Sequence, residues 1–229
     1  MEIRAVFLDA GGVFHLPSED GVRQALAEIG YELPADALRR AHYIAMRAYD
    51  RGDGAFEGYP AGLAEGLGIP EDLLEDATTG LKTFFSHPGG WGSLIQDSIA
   101  ALPEIAATGV KLAVVSNADG SVARRLAEEG IVQVGSGPGT SVEAVIDSSV
   151  VGVAKPDPRI FEPALAAVGA EAAQAIHVGD SVLADVGGAR AAGIRPIHLD
   201  PFQDCRETDH EHVRSLREVI GLIEASRPR

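Results

Sequence analysis

The sequence predicts an α/β fold in which a doubly wound parallel sheet carries an inserted all-helical domain. The chain begins with an uncharged apolar run, Ala5–Leu8, which is typical of a strand buried on both faces. The stretch 17–86 contains only helical patterns, whereas strands and helices alternate from residue 93 onward. We therefore expect a core formed by residues 1–14 and 93–229, and a helical domain with its linkers formed by residues 15–92.

The helices of the insertion are predicted from capping residues, breakers and apolar positions that recur at helical spacing. They are expected at 21–29, 34–50, 59–67 and 70–85. Glycine-rich breakers lie at 51–54 and at 87–92, and the second is expected to be the linker back to the core.

In the second part of the chain, short apolar runs that end in polar residues alternate with amphipathic segments. Strands are expected at 111–117, 142–146, 175–178 and 195–199. Helices are expected at 95–108, 121–129, 158–168, 183–192 and 212–225. Pro103 is expected to disturb the first of these helices.

The charge balance excludes some classes of partner. The chain of 229 residues has a formal net charge of −15 and a sequence pI near 4.8. Nucleic acids and anionic lipid surfaces both require a basic face, so we expect neither as a partner. An acidic protein that binds an anionic substrate needs a local lysine or metal ion to compensate the charge.

Cysteine usage and the absence of long apolar runs indicate the compartment. Cys205 is the single cysteine, so an internal disulfide is impossible and a reducing compartment is expected. The first residues show no signal-peptide pattern, and no apolar run approaches the ~18 residues of a membrane span. These features predict a cytoplasmic protein. The sequence does not indicate an oligomeric state.

Candidate functional residues lie at or just beyond the ends of the predicted strands. They are Asp9 after the first strand, Ser116 and Asn117 after the second, Lys155 before a later helix, and Asp180 and Asp185 after the 175–178 strand. In an open parallel sheet these loops lie at one edge, where ligands bind. We therefore expect these side chains to meet.

Three carboxylates that meet would repel one another unless a cation joins them. Mg²⁺ prefers such oxygen ligands and is commonly held by carboxylates together with a substrate phosphate. Lys155 and the Ser116 hydroxyl would then bind the phosphate oxygens. Asp9 would face phosphorus as a nucleophile, and the turn at Gly11 and Gly12 would let the backbone approach the ligand.

Four motifs carry a resemblance to a known family: FLDAGGV, VVSNAD, VAKPDP and HVGDSVLADVGGARAAGI. In this order, and with a helical insertion after the first, the chain resembles the phosphatase-type members of the haloacid dehalogenase-like hydrolase superfamily. The resemblance implies a Rossmann-like core with a helical cap.

The resemblance also implies roles for individual residues. The aspartate at the position of Asp9 attacks the substrate, while Ser116 and Lys155 hold its phosphate. The metal ligands implied for Mg²⁺ are Asp9, the backbone carbonyl of Gly11, Asp180 and Asp185. Gly12 and Asn117 are expected to contact the substrate.

One position departs from the family pattern. Phosphatases of this family carry a second aspartate two residues after the first, as the general acid and base, but Gly11 stands there. Losing such a group costs ~10²–10⁴ in rate. A substrate with a good leaving group, or replacement of the lost acid by His15 or His87, would preserve turnover.

The expected function is therefore Mg²⁺-dependent hydrolysis of a small phosphorylated metabolite through an aspartyl-phosphate on Asp9, weakened by Gly11. The first alternative is an impaired relative that binds a phosphorylated ligand or regulates another protein. The second is 2-haloacid dehalogenation, which needs no proton donor but does not explain why Asp180 and Asp185 are both present.

The segment 200–212 is rich in charge and histidine. Its spacing does not match a zinc pattern, so we expect a solvated loop near the edge of the sheet.

Overall fold

We describe a computed structural model of the chain. The structure describes residues 1–52, 56, 58–87 and 89–228. Asp53 and Gly54 of the first predicted breaker, and Pro88 of the predicted linker, lie outside the described residues.

The chain folds into two compact units. One consists of residues 1–14 and 96–229, and the other of residues 15–95. The second unit extends a few residues beyond the predicted linker because residues 91–94 form a strand. That strand pairs with residues 15–17 in an antiparallel ribbon.

The strands are short and most belong to one sheet. In chain order they are β1 (Ala5–Leu8), β2 (His15–Pro17), β3 (Trp91–Leu94), β4 (Lys111–Ser116), β5 (Val132–Val134), β6 (Thr140–Val142), β7 (Ala144–Asp147), β8 (Ala175–Gly179), β9 (Arg195–Leu199) and β10 (Glu211–Val213). The main sheet has the order β10-β9-β8-β1-β4-β7, and all of its neighbouring strands run parallel. Two further pairs, β2 with β3 and β5 with β6, form separate ribbons.

The helices divide between the two units. In chain order they are α1 (Glu19–Ala27), α2 (Ala37–Arg51), α3 (Gly58–Gly66), α4 (Leu74–Phe85), α5 (Gln96–Ala107), α6 (Val122–Glu128), α7 (Ser148–Val151), α8 (Glu162–Val168), α9 (Gly188–Ala191) and α10 (Val219–Ser226). Single turns of 3₁₀ helix occupy Glu71–Leu73, Pro158–Phe161, Ala172–Gln174 and Leu216–Glu218. Among the described residues, no helix combines the length and apolar character that a membrane crossing requires.

The first strand lies in the middle of the main sheet. Its residues from Ala5 to Leu8 are completely buried, as an uncharged run between two neighbouring strands must be. β1 pairs with β4 on one side and with β8 on the other. Helices cover this sheet, so the predicted fold class, a Rossmann-like parallel sheet with a helical insertion, is confirmed.

The inserted unit has its own hydrophobic core. The ribbon of β2 and β3 brings its two ends together, since His15 is paired with Leu94. Buried side chains from α1 to α4 form one cluster, in which Leu26, Tyr59, Leu63 and Leu81 are almost inaccessible. Burial of side chains on all four helices makes this unit a domain in its own right.

Three predicted helices differ in the structure. α5 runs through Pro103 without interruption. The helix predicted at 183–192 is a π-helix over Val182–Gly187, followed by the single turn of α9. The last predicted helix begins later because β10 takes the place of its start.

Candidate active site

The carboxyl ends of two adjacent strands, β1 and β8, bring the three predicted acids together. Asp9 follows β1, Asp180 follows β8, and Asp185 lies in the π-helix after β8. One carboxylate oxygen from each of these residues lies within 4.8 Å of the other two. The backbone of Asp9 is fixed on the neighbouring strand, because its N–H donates to the carbonyl of Val178 at 2.9 Å.

Lys155 enters the same site from the loop after α7. Its Nζ lies 2.9 Å from Asp9 Oδ1 and 2.6 Å from Asp185 Oδ1, and its side chain is only 1% exposed. The Lys155–Pro156 peptide is cis. A buried ammonium between two carboxylates links the site residues on the sheet to this loop.

Asn117, at the end of β4, holds the backbone of Lys155. Its side-chain nitrogen donates to the carbonyl of Lys155 at 2.9 Å, and its side-chain oxygen accepts from the Lys155 N–H at 2.7 Å. These two hydrogen bonds fix the backbone of Lys155, from which its side chain extends into the site. Asn117 thus acts on the site by positioning Lys155.

Both carboxylate oxygens of Asp185 accept hydrogen bonds within the protein. Oδ1 accepts from Lys155 and lies 2.8 Å from His177 Nε2, and Oδ2 accepts from the Ser181 N–H at 3.0 Å. His177 is completely enclosed in β8 and escaped sequence reasoning. The available signal was a histidine inside an otherwise apolar strand.

The π-helix that contains Asp185 begins directly after Ser181. Ser181 caps it by accepting from the Ala184 N–H at 2.9 Å, and its carbonyl accepts from Val186 as well as from Asp185. The bond from Val186 spans five residues, which widens the turn. π-helical turns of this kind are frequent at functional sites.

Gly179 leaves room for Asp185 at the end of β8. A Cβ atom on Gly179 would lie only 2.1 Å from Asp185 Cγ, far inside van der Waals contact. A glycine is therefore required where the strand meets the acid.

The two buried acids differ in their protonation behaviour. Burial raises the pKa of Asp9 above its ordinary value, and the neighbouring Lys155 offsets only part of this effect. Burial also raises the pKa of Asp185, but Lys155 and His177 outweigh it and leave that pKa well below its ordinary value. Burial lowers the pKa of Lys155, but Asp185 and Asp9 together raise it, so the lysine is charged.

The remaining predicted residues lie close to Asp9 along the chain or in the sheet. Ser116 is buried at the end of β4, and its hydroxyl lowers the pKa of Asp9, although burial raises that pKa overall. Gly11 and Gly12 form the turn after Asp9, and Gly12 has a φ of 64°, which a side chain would strain.

A further residue that sequence reasoning missed is Asp147 at the end of β7. Its carboxylate accepts from the N–H of Gly120 at 2.9 Å and of Ser149 at 3.0 Å. It therefore joins the loop after β4 to the start of α7. An aspartate at the end of a strand was the signal that would have found it.

The histidines considered as replacement acids both belong to the inserted unit. His15 is buried in β2, whereas His87 is exposed after α4 and lies 2.8 Å from the carbonyl of Thr83 through its Nδ1.

The donor set fits a hard divalent cation. The three clustered carboxylates supply oxygen atoms alone, and oxygen atoms are the ligands that Mg²⁺ prefers. With Lys155 as the ammonium between Asp9 and Asp185, the four groups carry more negative than positive charge. A cation bound there would compensate that excess.

A parallel sheet that carries acids and a lysine at the carboxyl ends of its strands is a Rossmann-like core with a candidate catalytic site. The model of the family described as haloacid dehalogenase-like hydrolase matches residues 3–193. The chain belongs to this family, and the predicted membership is confirmed.

Two curated relatives extend the comparison. Haloacid dehalogenase-like hydrolase domain-containing protein 3 of Homo sapiens is 41% identical over 169 residues, which make up 70% of this chain and 61% of that protein. The phosphoserine phosphatase of Thermus thermophilus is 34% identical over 168 residues, or 71% of this chain and 62% of that protein. The chain thus spans about three fifths of the length of these relatives.

Solved structures show the same fold. The HAD-hydrolase YfnB from Bacillus subtilis, in a crystal structure bound to magnesium, aligns with a TM-score of 0.61 and 16% identity. The alignment covers 97% of this chain and 99% of that one. At this identity the likeness concerns the fold alone.

Proposed function

We propose that this protein is a phosphohydrolase that uses Asp9 as its nucleophile on a small phosphorylated metabolite. The observation that carries the proposal is the position of Lys155 Nζ, 2.9 Å from Asp9 and 2.6 Å from Asp185 at the carboxyl edge of the sheet. The relative named phosphoserine phosphatase supports a phosphorylated substrate.

A divalent cation, Mg²⁺, is part of the proposal. Asp9, Asp180, Asp185 and the backbone carbonyl of Gly11 are the groups that would hold it, since the three carboxylates lie together. When bound, Mg²⁺ would stabilise the charge on the transferring phosphoryl group. Because the oxygens of Asp185 already accept three hydrogen bonds, we assign Asp185 the additional task of positioning Lys155.

The proposed reaction has two steps. A carboxylate oxygen of Asp9 attacks phosphorus, the bond from phosphorus to the ester oxygen breaks, and the leaving oxygen departs as an anion that takes up a proton from water. Lys155 and Ser116 donate hydrogen bonds to the phosphoryl oxygens as charge develops there. Water then attacks phosphorus, which releases inorganic phosphate and restores the Asp9 carboxylate.

Gly11 determines which substrates this site serves well. Without an acid at that position the leaving oxygen departs unprotonated. This departure is slow unless the alcohol or acid that is released has a low pKa. We therefore infer a preference for phosphate bound to an acidic leaving group, such as an aryl phosphate, an acyl phosphate or an anhydride.

The test is hydrolysis of an aryl phosphate with and without Mg²⁺, by the parent protein and by Asp9→Asn. The parent is expected to release phosphate in a Mg²⁺-dependent reaction, and Asp9→Asn is expected to fall to background. Asp76→Asn, an exposed acid in the inserted unit, is the matched control and is expected to retain the parent rate. Equal rates in Asp9→Asn and the parent would reject the proposal.

Gly11 also favours a second function, in which the site binds a phosphorylated ligand with little turnover. Gly11 does not have the positive φ of Gly12, so its backbone conformation does not oppose a side chain. If this second function is right, Gly11→Asp creates a Mg²⁺-dependent hydrolase activity that the parent lacks. Brisk hydrolysis by the parent would exclude it.

The dehalogenase alternative has less support. Asp180 and Asp185 lie with Asp9 in a carboxylate cluster that favours a cation, and halide departure needs no cation. Chloride release from a 2-haloacid without added metal would favour this alternative over phosphate transfer.

A further inference from the structure

The structure gathers three histidines and the cysteine at the end of the main sheet. His198 lies in β9, His212 lies in β10, and Cys205 and His210 lie in the loop between these strands. One potential ligand atom from each lies within 4.8 Å of the other three. The sequence predicted a solvated loop over 200–212, but β10 takes up the last two residues of that segment.

Strand register and one carboxylate bring the four residues together. β9 and β10 are parallel neighbours in which His198 is paired with His212, so both side chains lie on the same face. Asp200 holds the intervening loop, since its carboxylate accepts from the N–H of Asp204 at 3.1 Å and of Cys205 at 3.0 Å. The cysteine is thereby fixed near the histidines.

Each histidine ring has one nitrogen next to an oxygen outside the cluster. His198 Nε2 lies 3.3 Å from the carbonyl of Asp180, and His210 Nδ1 lies 2.8 Å from the carboxylate of Asp209. His212 Nε2 lies 3.0 Å from the carbonyl of Glu207. Because oxygen is the acceptor in each case, these nitrogens carry the hydrogen. The opposite nitrogens of His198 and His210 then present lone pairs to each other, while His212 Nδ1 lies 3.6 Å from the Asp200 carboxylate.

Partners of this kind on the outer nitrogen are the usual support for metal-binding histidines. They fix both the tautomer and the orientation of the ring.

The distances inside the cluster suit a tetrahedral ion. His198 Nδ1 and His210 Nε2 lie 3.2 Å apart, and Cys205 Sγ lies 4.0 Å from His210 Nε2. Bond lengths of about 2.0–2.1 Å to nitrogen and about 2.3 Å to sulfur place nitrogens about 3.3 Å apart, and nitrogen and sulfur about 3.6 Å apart. Two lone pairs facing each other repel, and a cation between them removes that repulsion.

We propose that His198, Cys205, His210 and His212 form a binding site for Zn²⁺ or a similar borderline transition-metal ion. Three nitrogens and one sulfur are ligands for such an ion and not for Mg²⁺, so the site is chemically distinct from the carboxylate cluster. Four protein ligands close the coordination sphere, which is typical of a structural site. The bound ion fastens the loop after β9 to the edge strand β10.

Metal titration of the chelator-treated full chain tests the proposal. In excess Mg²⁺, which occupies oxygen sites, the parent is expected to bind one Zn²⁺ per chain and to unfold at a higher temperature as Zn²⁺ is added. Co²⁺ is expected to give the thiolate-to-cobalt charge-transfer absorption of a cysteine-ligated tetrahedral site. Neither measurement depends on enzymatic activity.

Amino-acid substitutions distinguish Zn²⁺ binding by these four residues from nonspecific binding at the protein surface. Asp209→Asn changes only the group next to His210 Nδ1 and is expected to weaken Zn²⁺ binding by about 10–100-fold. His210→Ala removes a ligand and is expected to weaken Zn²⁺ binding by more than this. Cys205→Ser keeps the backbone bond to Asp200 and is expected to lose the charge-transfer absorption. His87→Ala, which removes an exposed histidine of the inserted unit, is expected to bind Zn²⁺ like the parent.

Two results would overturn the proposal. One is a parent protein that takes up no Zn²⁺. The other is a folded Cys205→Ser or His210→Ala, verified by circular dichroism, that binds Zn²⁺ and Co²⁺ as the parent does.

Discussion

Lys155 balances the charge of the candidate active site. Its side chain is 1% exposed and lies between Asp9 and Asp185, which are 13% and 2% exposed. Buried charges of this kind are stable only while they are paired. The lysine therefore has a structural task in addition to the proposed binding of phosphate.

Replacing this lysine tests that structural task. Lys155→Met leaves two acids facing each other and is expected to lower the free energy of unfolding of the metal-free protein by about 3–5 kcal/mol. Lys111→Met is the control, because Lys111 makes an exposed ion pair with Glu143, worth about 1 kcal/mol or less. Urea denaturation in the presence of a chelator measures both. Equal losses would show that Lys155 contributes no more than a surface pair.

The two acids beside Lys155 are expected to affect stability with opposite signs. The pKa of Asp9 is raised in the folded protein, so its ionised form costs stability at neutral pH, and Asp9→Asn is expected to stabilise the metal-free protein. The pKa of Asp185 is lowered, so its ionised form stabilises the fold above its ordinary pKa of about 3.9, and this contribution is lost as the pH falls. Asp185→Asn is therefore expected to destabilise the protein at pH 7.

Denaturation of both variants from pH 3 to pH 7 checks these signs. The difference between Asp185→Asn and the parent should shrink towards pH 3, because the carboxyl group becomes protonated in the unfolded chain while it stays ionised in the folded protein. A destabilised Asp9→Asn would show that pairing with Lys155 outweighs the burial of Asp9.

At the scale of elements, the contact between the end of β8 and the π-helix determines where Asp185 lies. The sequence indicates a helix here, because small residues follow the Gly-Asp-Ser turn. It cannot specify a hydrogen bond that spans five residues, since that bond depends on how Asp185 contacts Lys155 and His177. Tertiary contacts thus select the type of helix.

A methyl group at Gly179 tests this contact. Gly179→Ala would place Cβ 2.1 Å from Asp185 Cγ and is expected to displace the acid, with loss of stability and of the proposed phosphatase activity. Gly187→Ala is the matched control, because its Cβ would meet only the carbonyl of Val182 at 3.6 Å. Kinetics with an aryl phosphate and urea denaturation compare the two. Retention of the parent properties by Gly179→Ala would show that β8 moves aside easily.

The strands divide into those that sequence predicts and those that it does not. β1, β4, β8 and β9 are apolar runs with polar ends, so burial on both faces is visible in their composition. β2, β3, β5 and β10 are only three or four residues long. Such strands exist because a partner strand is adjacent, and no local pattern records that partner.

At the scale of the whole molecule, the inserted unit is expected to fold alone. Its buried cluster consists only of residues between Val22 and Leu81, and its ends are joined by the ribbon of β2 and β3. The peptide 15–95 is expected to be helical by circular dichroism and to unfold cooperatively with heat. A gradual, non-cooperative loss of signal would show that this unit depends on the remainder of the chain.

The arrangement of the whole sheet explains how much of the candidate site could be predicted from the sequence. Asp9, Ser116, Asp180 and Asp185 were predicted to converge because the carboxyl ends of parallel strands share one edge, and the structure places them there. His177 and the cluster around His198 were not predicted. Their roles depend on which residues are paired across neighbouring strands, and that register is set only when the sheet has formed.

The central position of β1 has a consequence for synthesis on the ribosome. This strand is translated before the inserted unit, whereas its neighbours β4 and β8 are translated after it. An apolar segment therefore remains unpaired in the nascent chain while the helices of the insertion, whose buried contacts are with one another, can form. A factor that shields β1 during translation would act while this strand lacks both of its partner strands.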